Sequence, residues 1–326
     1  MRKRRFWIEL TILVVIVGGG LLVLNKHQAV NDWFRLLDYH PDPNVVAIAD
    51  QDMLTPYARH LVYVYHTQLE DASTFNQNCK VTDQSIVLGC TVVNKGIYIY
   101  QVSDPQLNGI EQVTEAYEML HAAYARLSPT ELTKVNSMVV SAYTQLEATN
   151  PTLKTEEQEY ASTEGPGAVV NEMHSTLGAE VANLPPNLEN YYKQYFEDRS
   201  VIVDFANQYQ AVFNSRKTQV AADDQQLSNL NQQISTDQAT LNTELSSLTS
   251  QQTELNTLKS SGQFESYNSQ VPGFNAKVDA YNSLVAQVKD LVTNYNLLAD
   301  QRNSIALEEN QLVKEISSQP STLSTQ

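Results

Sequence analysis

The pattern of apolar and polar positions changes character three times along the chain. Residues 6–24 are almost wholly apolar. Because about 20 apolar residues span the hydrocarbon core as a helix, this run predicts a transmembrane segment. Between residues 45 and 198, short apolar runs alternate with amphipathic stretches, which predicts an α+β domain with a small sheet and several helices. From residue 199 to 317, apolar residues recur at every seventh position, which is typical of a coiled coil.

Within the α+β domain, stretches rich in β-branched and aromatic residues predict strands, and apolar residues at helical spacing predict helices. The predicted strands are 60–66, 84–89 and 96–102, with a short helix between the first two. The predicted helices are 109–127, 129–148 and 168–182, and a fourth begins in the stretch 183–199. The polar stretch 149–167 is interpreted as a surface connection.

The repeat after residue 199 predicts an antiparallel hairpin of two long helices. The first helix carries apolar residues seven apart at Leu227, Ile234, Leu241, Leu248 and Leu255. Residues 260–274 interrupt the pattern with two glycines and Pro272. It resumes in steps of four and three at Phe274, Val278, Tyr281, Val285, Val288, Val292, Tyr295 and Ala299. Asp237, Glu244 and Gln251 fill the other seam column, so self-association or a protein partner is expected to support the hairpin.

The charges at the N-terminus predict on which side of the membrane each part of the chain lies. Arg2, Lys3, Arg4 and Arg5 precede the apolar run, so residues 1–5 are expected to stay cytoplasmic and everything after Leu24 to lie outside the cell membrane. A cleaved signal peptide is the alternative, although its apolar region is normally shorter and no small-x-small cleavage site follows Leu24. Residues 25–44 are interpreted as a tether, and residues 318–326 as a disordered tail.

Charge and cysteine content narrow the classes of partner and site. The net charge of −16 would repel nucleic acid, so we expect no such partner. Outside the membrane, the two cysteines, Cys79 and Cys90, are expected to form a disulfide, with two free thiols as the alternative. Their spacing excludes a C-x-x-C metal or redox pair.

One helix carries most of a zinc-peptidase motif. In H-E-x-x-H, two imidazoles four residues apart bind one zinc and the glutamate takes a proton from the bound water. Here Glu118 stands at the general-base position and His121 at the second ligand, but Tyr117 replaces the first histidine. A phenol has a pKa near 10 and is a poor ligand near neutral pH. An ordinary amphipathic helix, with Tyr117 in the core, is the alternative.

A second motif makes the resemblance more specific. The segment N-E-M-H-S-T, residues 171–176, is similar to the N-E-x-x-S-D helix of thermolysin-like zinc peptidases, the gluzincins. The glutamate of that motif is the third zinc ligand, and Glu172 occupies its position. Thr176 replaces the aspartate that orients a ligand histidine in the family. The longer separation between His121 and Glu172 implies an inserted helix and connection.

The sequence between about residues 45 and 199 also resembles a little-characterised family of membrane-anchored bacterial proteins. Its members read H-E-M-L-H-A-x-Y and N-E-L-H-S-x-x-G-T-E and often end in a coiled coil. The resemblance implies a zincin-like fold, with Glu118 as base and with His121 and Glu172 as ligands. The departure at Tyr117 places zinc as a cofactor in doubt.

Three further histidines of the sequence are candidate metal ligands. His174 lies two residues after Glu172, so a helix would point the two side chains to nearly opposite faces. We favour Glu172, because the N-E-x-x-S pattern supports it, and keep His174 as the alternative ligand. His60 and His66, on the strand predicted at 60–66, are spare imidazoles.

The sequence therefore favours a membrane-anchored, extracytoplasmic protein with a degenerate zincin-like domain, acting as a pseudoenzyme or scaffold through its coiled coil. The alternative is an active zinc metallopeptidase in which Tyr117 binds the metal as phenolate and Glu118 is the general base. A purely structural envelope protein is the third possibility.

Overall fold

The computed structural model describes residues 27–80, 86–163 and 166–319. These residues are mostly helical, with one small sheet and two long C-terminal helices. The chain divides into two compact units, Met1–Gln210 with Leu312–Gln326, and Ala211–Gln311.

The helices of the first unit begin at residues that cap or favour a helix start. Asp42, Thr55, Asp71 and Ser128 each accept a backbone N–H of the first turn, which satisfies a donor that the helix leaves free. The helices are α1 His27–Leu36, α2 Pro43–Gln51, α3 Pro56–Val64, α4 Ala72–Asn78, α5 Ile110–Tyr124, α6 Pro129–Glu147, α7 Pro151–Thr163, α8 Pro166–Ala179 and α9 Pro186–Tyr192. The long helix α10, Arg199–Ser260, follows.

A three-stranded sheet packs against helix α5. Its strands are β1 Gln68–Glu70, β2 Gly89–Val92 and β3 Gly96–Tyr100, in the order β1-β3-β2. Strand β3 is central, parallel to β1 and antiparallel to β2. This confirms the strand predicted at 96–102. Of the strand predicted at 84–89, only Gly89 belongs to β2, and residues 81–85 lie outside the described residues.

The strand predicted at 60–66 is wrong, because most of this stretch belongs to helix α3. Thr55 caps the helix and Pro56 occupies its first turn, where the missing N–H costs nothing. Ala58, Leu61 and Val62 are fully buried at helical spacing. A run of β-branched and aromatic residues therefore faces the core as one side of a helix, which short apolar runs do not distinguish from a strand.

The polar stretch 149–167, predicted as a surface connection, instead contains helix α7. Leu153 is buried, and the Tyr143 hydroxyl donates a hydrogen bond of 2.8 Å to its carbonyl oxygen. The buried Leu153 and this hydrogen bond thus hold the first turn of an otherwise polar helix against α6. The helices predicted at 109–127, 129–148 and 168–182 correspond to α5, α6 and α8. The short helix expected between the first two predicted strands is α4.

The segment interpreted as a tether is partly helical, and only the first two residues of the predicted tail 318–326 are described. The segment 25–44 contains helix α1, whose Asp32 bonds Arg126 at 2.5 Å, and the first residues of α2. At the other end, Ser318 exchanges hydrogen bonds with Asn76. The predicted membrane span 6–24 and residues 320–326 lie outside the described part of the chain. Within the described part, no helix is both long and apolar enough to cross a bilayer.

The disulfide predicted between Cys79 and Cys90 is present, with Cα atoms 5.9 Å apart. It joins the end of α4 to strand β2. Both cysteines lie in a small cluster with the buried ring of Phe75 and with Tyr98. The bridge therefore ties the outer strand of the sheet to the helix that precedes it.

The second unit is an antiparallel pair formed by the later part of α10 and by helix α11, Phe264–Glu315. Arg302 pairs with Asp224 near the open end, and Gln287 donates to Asp237 nearer the turn. The interruption predicted at 260–274 is shorter in the structure. A turn at 261–263 separates the two helices, and Pro272 lies inside α11.

The seam of the hairpin partly follows the predicted heptads. Leu248 and Leu255 are buried as predicted. On the second helix, Leu284 and Leu291 face inward, whereas the predicted Val285 and Val292 remain 38% exposed. Both choices fit steps of three and four, and the pairing with α10 selects the leucines.

Two carboxyl groups are buried together in the core of the first unit. Asp52, at the end of α2, and Glu115, on α5, are fully buried. All four carboxyl oxygens lack a hydrogen-bond partner among the described residues. Burial, and then the charge of Glu115, raises the pKa of Asp52 well above its usual range. Burial likewise raises the pKa of Glu115, against the opposing charge of Arg59.

We predict that this pair makes the fold less stable as the pH rises. Folded Asp52 and Glu115 keep protons at a pH where an unfolded carboxyl, with a pKa near 4, has released them. The free energy of unfolding therefore falls above that pH, by about 1.4 kcal/mol per pH unit for each retained proton. Asp52→Asn should flatten this dependence and raise the melting temperature at pH 8, as measured by thermal unfolding at several pH values.

The matched control is Asp204→Asn, because the Asp204 side chain is exposed on α10. It should keep the slope of the parent chain. An equal slope for Asp52→Asn and the parent would contradict the prediction.

Candidate functional site

Helices α5 and α8 lie side by side and bring the two motifs together. Tyr117 and His121 stand one turn apart on α5, with ring centroids separated by 5.0 Å. Gly178 on α8 permits the close approach, since a Cβ there would lie 2.4 Å from Leu120 Cδ1 and 2.8 Å from Tyr192 Cε1. A Cβ at this position would therefore force the side chain of Leu120 or Tyr192 to shift.

The three side chains meet at one oxygen atom. His121 Nε2 lies 3.4 Å from Glu172 Oε2. The Tyr117 hydroxyl donates a hydrogen bond of 2.7 Å to the same oxygen. The hydroxyl of Tyr160, on α7, lies 3.4 Å from that of Tyr117. The convergence of imidazole and carboxylate agrees with the geometry predicted from the two motifs, and the tyrosine occupies the place between them.

The surroundings of His121 and Glu172 shift both pKa values toward the charged forms of an ion pair. Burial alone would lower the pKa of His121, but the hydrogen bond to Glu172 and the charge of Glu118 outweigh it, and the pKa is raised. Burial alone would raise the pKa of Glu172, but its contacts with His121 and Tyr117 lower it. Each shift favours the charged form of its group, because the imidazole and the carboxylate stabilise each other's charge.

Tyr117 is poorly suited to bind a metal as phenolate. Burial is the largest cause that raises its pKa well above the usual value, and the nearby Tyr160 and Glu172 raise it further. Its proton is also committed to the hydrogen bond with Glu172. Deprotonation would place a second negative charge beside the carboxylate.

Glu118 lies on the same helix and is held by the edge strand β2. The Thr91 hydroxyl lies 2.8 Å from Glu118 Oε2 and 2.9 Å from the Glu118 carbonyl oxygen, and can donate to either acceptor. Burial raises the pKa of Glu118, against the charge of His121 and the bond from Thr91. Gly89 on β2 leaves room for this side chain, because a Cβ there would lie 2.7 Å from Glu118 Cγ.

The structure does not bring His174 to this cluster. Its ring is fully buried among tyrosines, and its Nε2 lies 3.0 Å from the Tyr191 hydroxyl. Burial, and then the charge of His121, lowers its pKa to about 3, so the ring is neutral at ordinary pH. His174 thus packs against Tyr124 of α5 and against Tyr191 and Tyr192, whereas Glu172 contacts Tyr117 and His121.

His60 and His66 are also engaged elsewhere. His60 Nε2 lies 3.3 Å from Asp32 Oδ2, and His66 Nε2 donates to the carbonyl oxygen of Arg35 at 2.7 Å. Both contacts are with helix α1. The spare imidazoles predicted from the sequence therefore help to hold α1 and do not approach Glu172.

The donor set does not fit a zinc ion. Catalytic zinc uses three protein ligands and a water molecule. The site offers one imidazole, one carboxylate and a phenol that keeps its proton. In the described part of the chain, no three His, Cys, Asp or Glu side chains are grouped so that they could hold a metal ion.

Sequence reasoning did not identify three residues of the site. Thr91 and Tyr160 come from β2 and α7, which the sequence places far from the motif helices. Gly178 carried a weak signal, because it follows the N-E-x-x-S segment closely, but its contact with Leu120 depends on the helix crossing.

Comparison of the chain with family models, with curated proteins and with solved structures gave no match. The likeness to zinc peptidases therefore rests on the two motifs and on their arrangement in space.

We predict that Glu172→Gln lowers the pKa of His121, because it removes the negative charge that stabilises the imidazolium. The pKa is measured by NMR titration of the imidazole C–H signals, with the His121 signal assigned by its loss in His121→Gln. The control is Glu111→Gln. Glu111 lies on the same helix as His121, and its carboxylate accepts a hydrogen bond from the backbone N–H of Val102. An unchanged titration in Glu172→Gln would show that the ion pair does not form.

Proposed function

We propose that this chain is a membrane-anchored, extracytoplasmic pseudoenzyme. Its first unit is a zincin-like domain that has exchanged its metal for a hydrogen-bonded ion pair, and its helical hairpin is the arm for a protein partner or for self-association. The single observation that supports this most strongly is the 2.7 Å hydrogen bond from Tyr117 to Glu172 Oε2.

The zincin-like assignment is supported by the order and geometry of the elements. A strand pair, β2 and β3, precedes the helix that carries Glu118 and His121, and a later helix supplies Glu172. The imidazole and the carboxylate approach to 3.4 Å, as two ligands of one metal would.

Loss of the metal is supported by the chemistry at position 117. Replacing an imidazole by a phenol removes a neutral donor and introduces a proton that zinc would have to displace. In this site, the protons of Tyr117 and His121 satisfy Glu172 without a metal. The domain therefore keeps the arrangement of a metal site while its polar groups bond one another.

The location is supported by the N-terminal sequence and by the disulfide. Basic residues 2–5 before the apolar run 6–24 favour a cytoplasmic N-terminus and an exported remainder. The bridge between Cys79 and Cys90 fits an oxidising compartment, where disulfides persist.

The interaction role of the hairpin is supported by its seam. Asp237, Glu244 and Gln251 lie half-buried where a stable two-helix pair would carry apolar residues. Leu245 and Leu297 remain exposed on its surface. A partner or a second copy would cover these leucines and supply stability that the polar column does not.

The competing function is an active peptidase with Tyr117 as phenolate ligand and Glu118 as base. The retained Glu118, held by Thr91, favours it. The raised pKa of Tyr117 and the commitment of its proton oppose it.

We predict that Tyr117→His creates zinc binding that the parent chain lacks. The substitution restores a third donor that binds as a neutral group, so we expect about one zinc per chain in the variant and none retained by the parent. Metal content after dialysis is measured by atomic emission. Peptidase activity of the zinc-loaded variant is a second readout.

The matched control is Tyr117→Phe, which removes the phenol without adding a donor and should not bind zinc. About one zinc per chain in the parent would refute the pseudoenzyme. Failure of a folded Tyr117→His variant to bind zinc would refute the zincin-like assignment.

A further inference from the structure

Helix α1 and the residue after it expose three large apolar side chains, although the helix buries a carboxylate and packs Leu36 against the protein. Trp33, Phe34 and Leu37 are 60%, 62% and 54% exposed. Asp32, on the opposite side, is buried. A helix on a water-facing domain normally does the reverse, because burying a charge is costly and burying an aromatic ring is favourable. This inverted helix therefore indicates that another apolar medium covers its outer face.

The orientation of α1 is fixed by strong polar contacts. Arg126 Nη2 lies 2.5 Å from Asp32 Oδ2, and His60 approaches the same oxygen. Arg35 donates hydrogen bonds to three backbone carbonyl oxygens, those of Val64 at 2.5 Å, Asn94 at 2.9 Å and Lys95 at 2.7 Å. Rotating α1 to bury Trp33 and Phe34 would break all of these contacts, so the exposed rings are a built feature of the domain.

The turn between β2 and β3 lies next to the end of α1. The guanidinium of Arg35 reaches the carbonyl oxygens of Asn94 and Lys95 in this turn. The turn also carries Val93, which is 63% exposed. Trp33, Phe34 and Leu37 form a surface, called here the aromatic face, and the exposed Val93 lies on this neighbouring turn.

The position of α1 in the chain identifies what covers the aromatic face. In the sequence, the apolar run that predicts the membrane span ends at Leu24, and only Asn25 and Lys26 separate it from His27. Two extended residues reach about 7 Å. A chain anchored by this run therefore begins α1 at the bilayer surface. Tryptophan is enriched at that depth, where an amphipathic ring meets both headgroups and hydrocarbon.

We propose that the aromatic face lies in the headgroup region of the bilayer, so that the first unit is seated directly on the membrane. This inference rests on the membrane anchor in the proposed function, and it is independent of whether the site binds zinc. Because the chain carries a net charge of −16, attraction to anionic lipid does not drive the contact. Burial of the aromatic face drives it, and neutral lipid is sufficient.

The two tryptophans of the chain, Trp7 and Trp33, make a direct test possible. Trp7→Phe leaves Trp33 as the only tryptophan of the full chain, which is reconstituted into phosphatidylcholine vesicles. We expect blue-shifted emission, weak quenching by aqueous iodide, and loss of most emission when the lipids are brominated near the headgroup. Lipids brominated near the end of the acyl chain should quench less, because the ring lies shallow.

The matched control moves the tryptophan to another exposed apolar position of the same unit. In the triple variant Trp7→Phe, Trp33→Phe, Val140→Trp, the new ring replaces Val140 on α6, which is 43% exposed. It should emit as a water-exposed indole, be quenched by iodide and be insensitive to brominated lipid. Equal lipid quenching at both positions would overturn the proposal, since it would indicate general adsorption.

Two further outcomes would overturn the proposal in distinct ways. Quenching of Trp33 by iodide but not by brominated lipid would place α1 on a free tether. Blue-shifted emission without lipid quenching, lost on dilution, would assign the aromatic face to a second copy of the chain.

Release of the chain from vesicles at alkaline pH would show that residues 6–24 do not span the bilayer. This result would overturn both the anchor and the proposal that rests on it. The zinc measurement on Tyr117→His reports separately on the zincin-like site, so failure of the membrane contact and failure of the site remain distinguishable.

Discussion

The contacts made by the carboxylate of Glu172 join the two helices that form the site. One of its oxygens accepts a hydrogen bond from the Tyr117 hydroxyl and faces the imidazole of His121. A half-buried carboxylate needs compensation, and a metal ion or protonated neighbours can provide it. In this chain the neighbours provide it. The contacts of Tyr117 and His121 therefore explain how this carboxylate is accommodated between the two helices.

The two helices that meet at this carboxylate also organise the rest of the first unit. Helix α5 packs against the sheet on one side and against α8 on another, and small residues permit both approaches. Gly89 leaves space for Glu118, and Gly178 leaves space for Leu120. A side chain at Gly89 would force Glu118 or Thr114 to shift, and one at Gly178 would force Leu120 or Tyr192 to shift. The site and the hydrophobic core are thus parts of one packing arrangement.

Much of the helical framework could be predicted from the sequence, because apolar spacing and capping are local properties. The helices α5, α6 and α8, strand β3 and the disulfide partners follow from such patterns. The stretch 60–66 was misassigned because a short apolar run fits either a strand or one face of a helix. Helix α7 was missed because its fixation depends mainly on Leu153, which only the fold buries. The partners of Glu118 and Tyr117, Thr91 and Tyr160, are remote in sequence and had no local signal.

The sequence by itself determined which chemical groups are present and which helices carry them: a phenol in place of an imidazole, a carboxylate on a second helix, and an apolar run beside a basic end. The tertiary structure decided which of these groups touch. It directed the hydroxyl of Tyr117 to donate to Glu172, turned His174 toward tyrosines, and oriented Asp32 inward while Trp33 faces out. Local sequence fixes the spacing along one helix, but contacts between elements depend on how close and at what angle those elements pack, which the whole core sets.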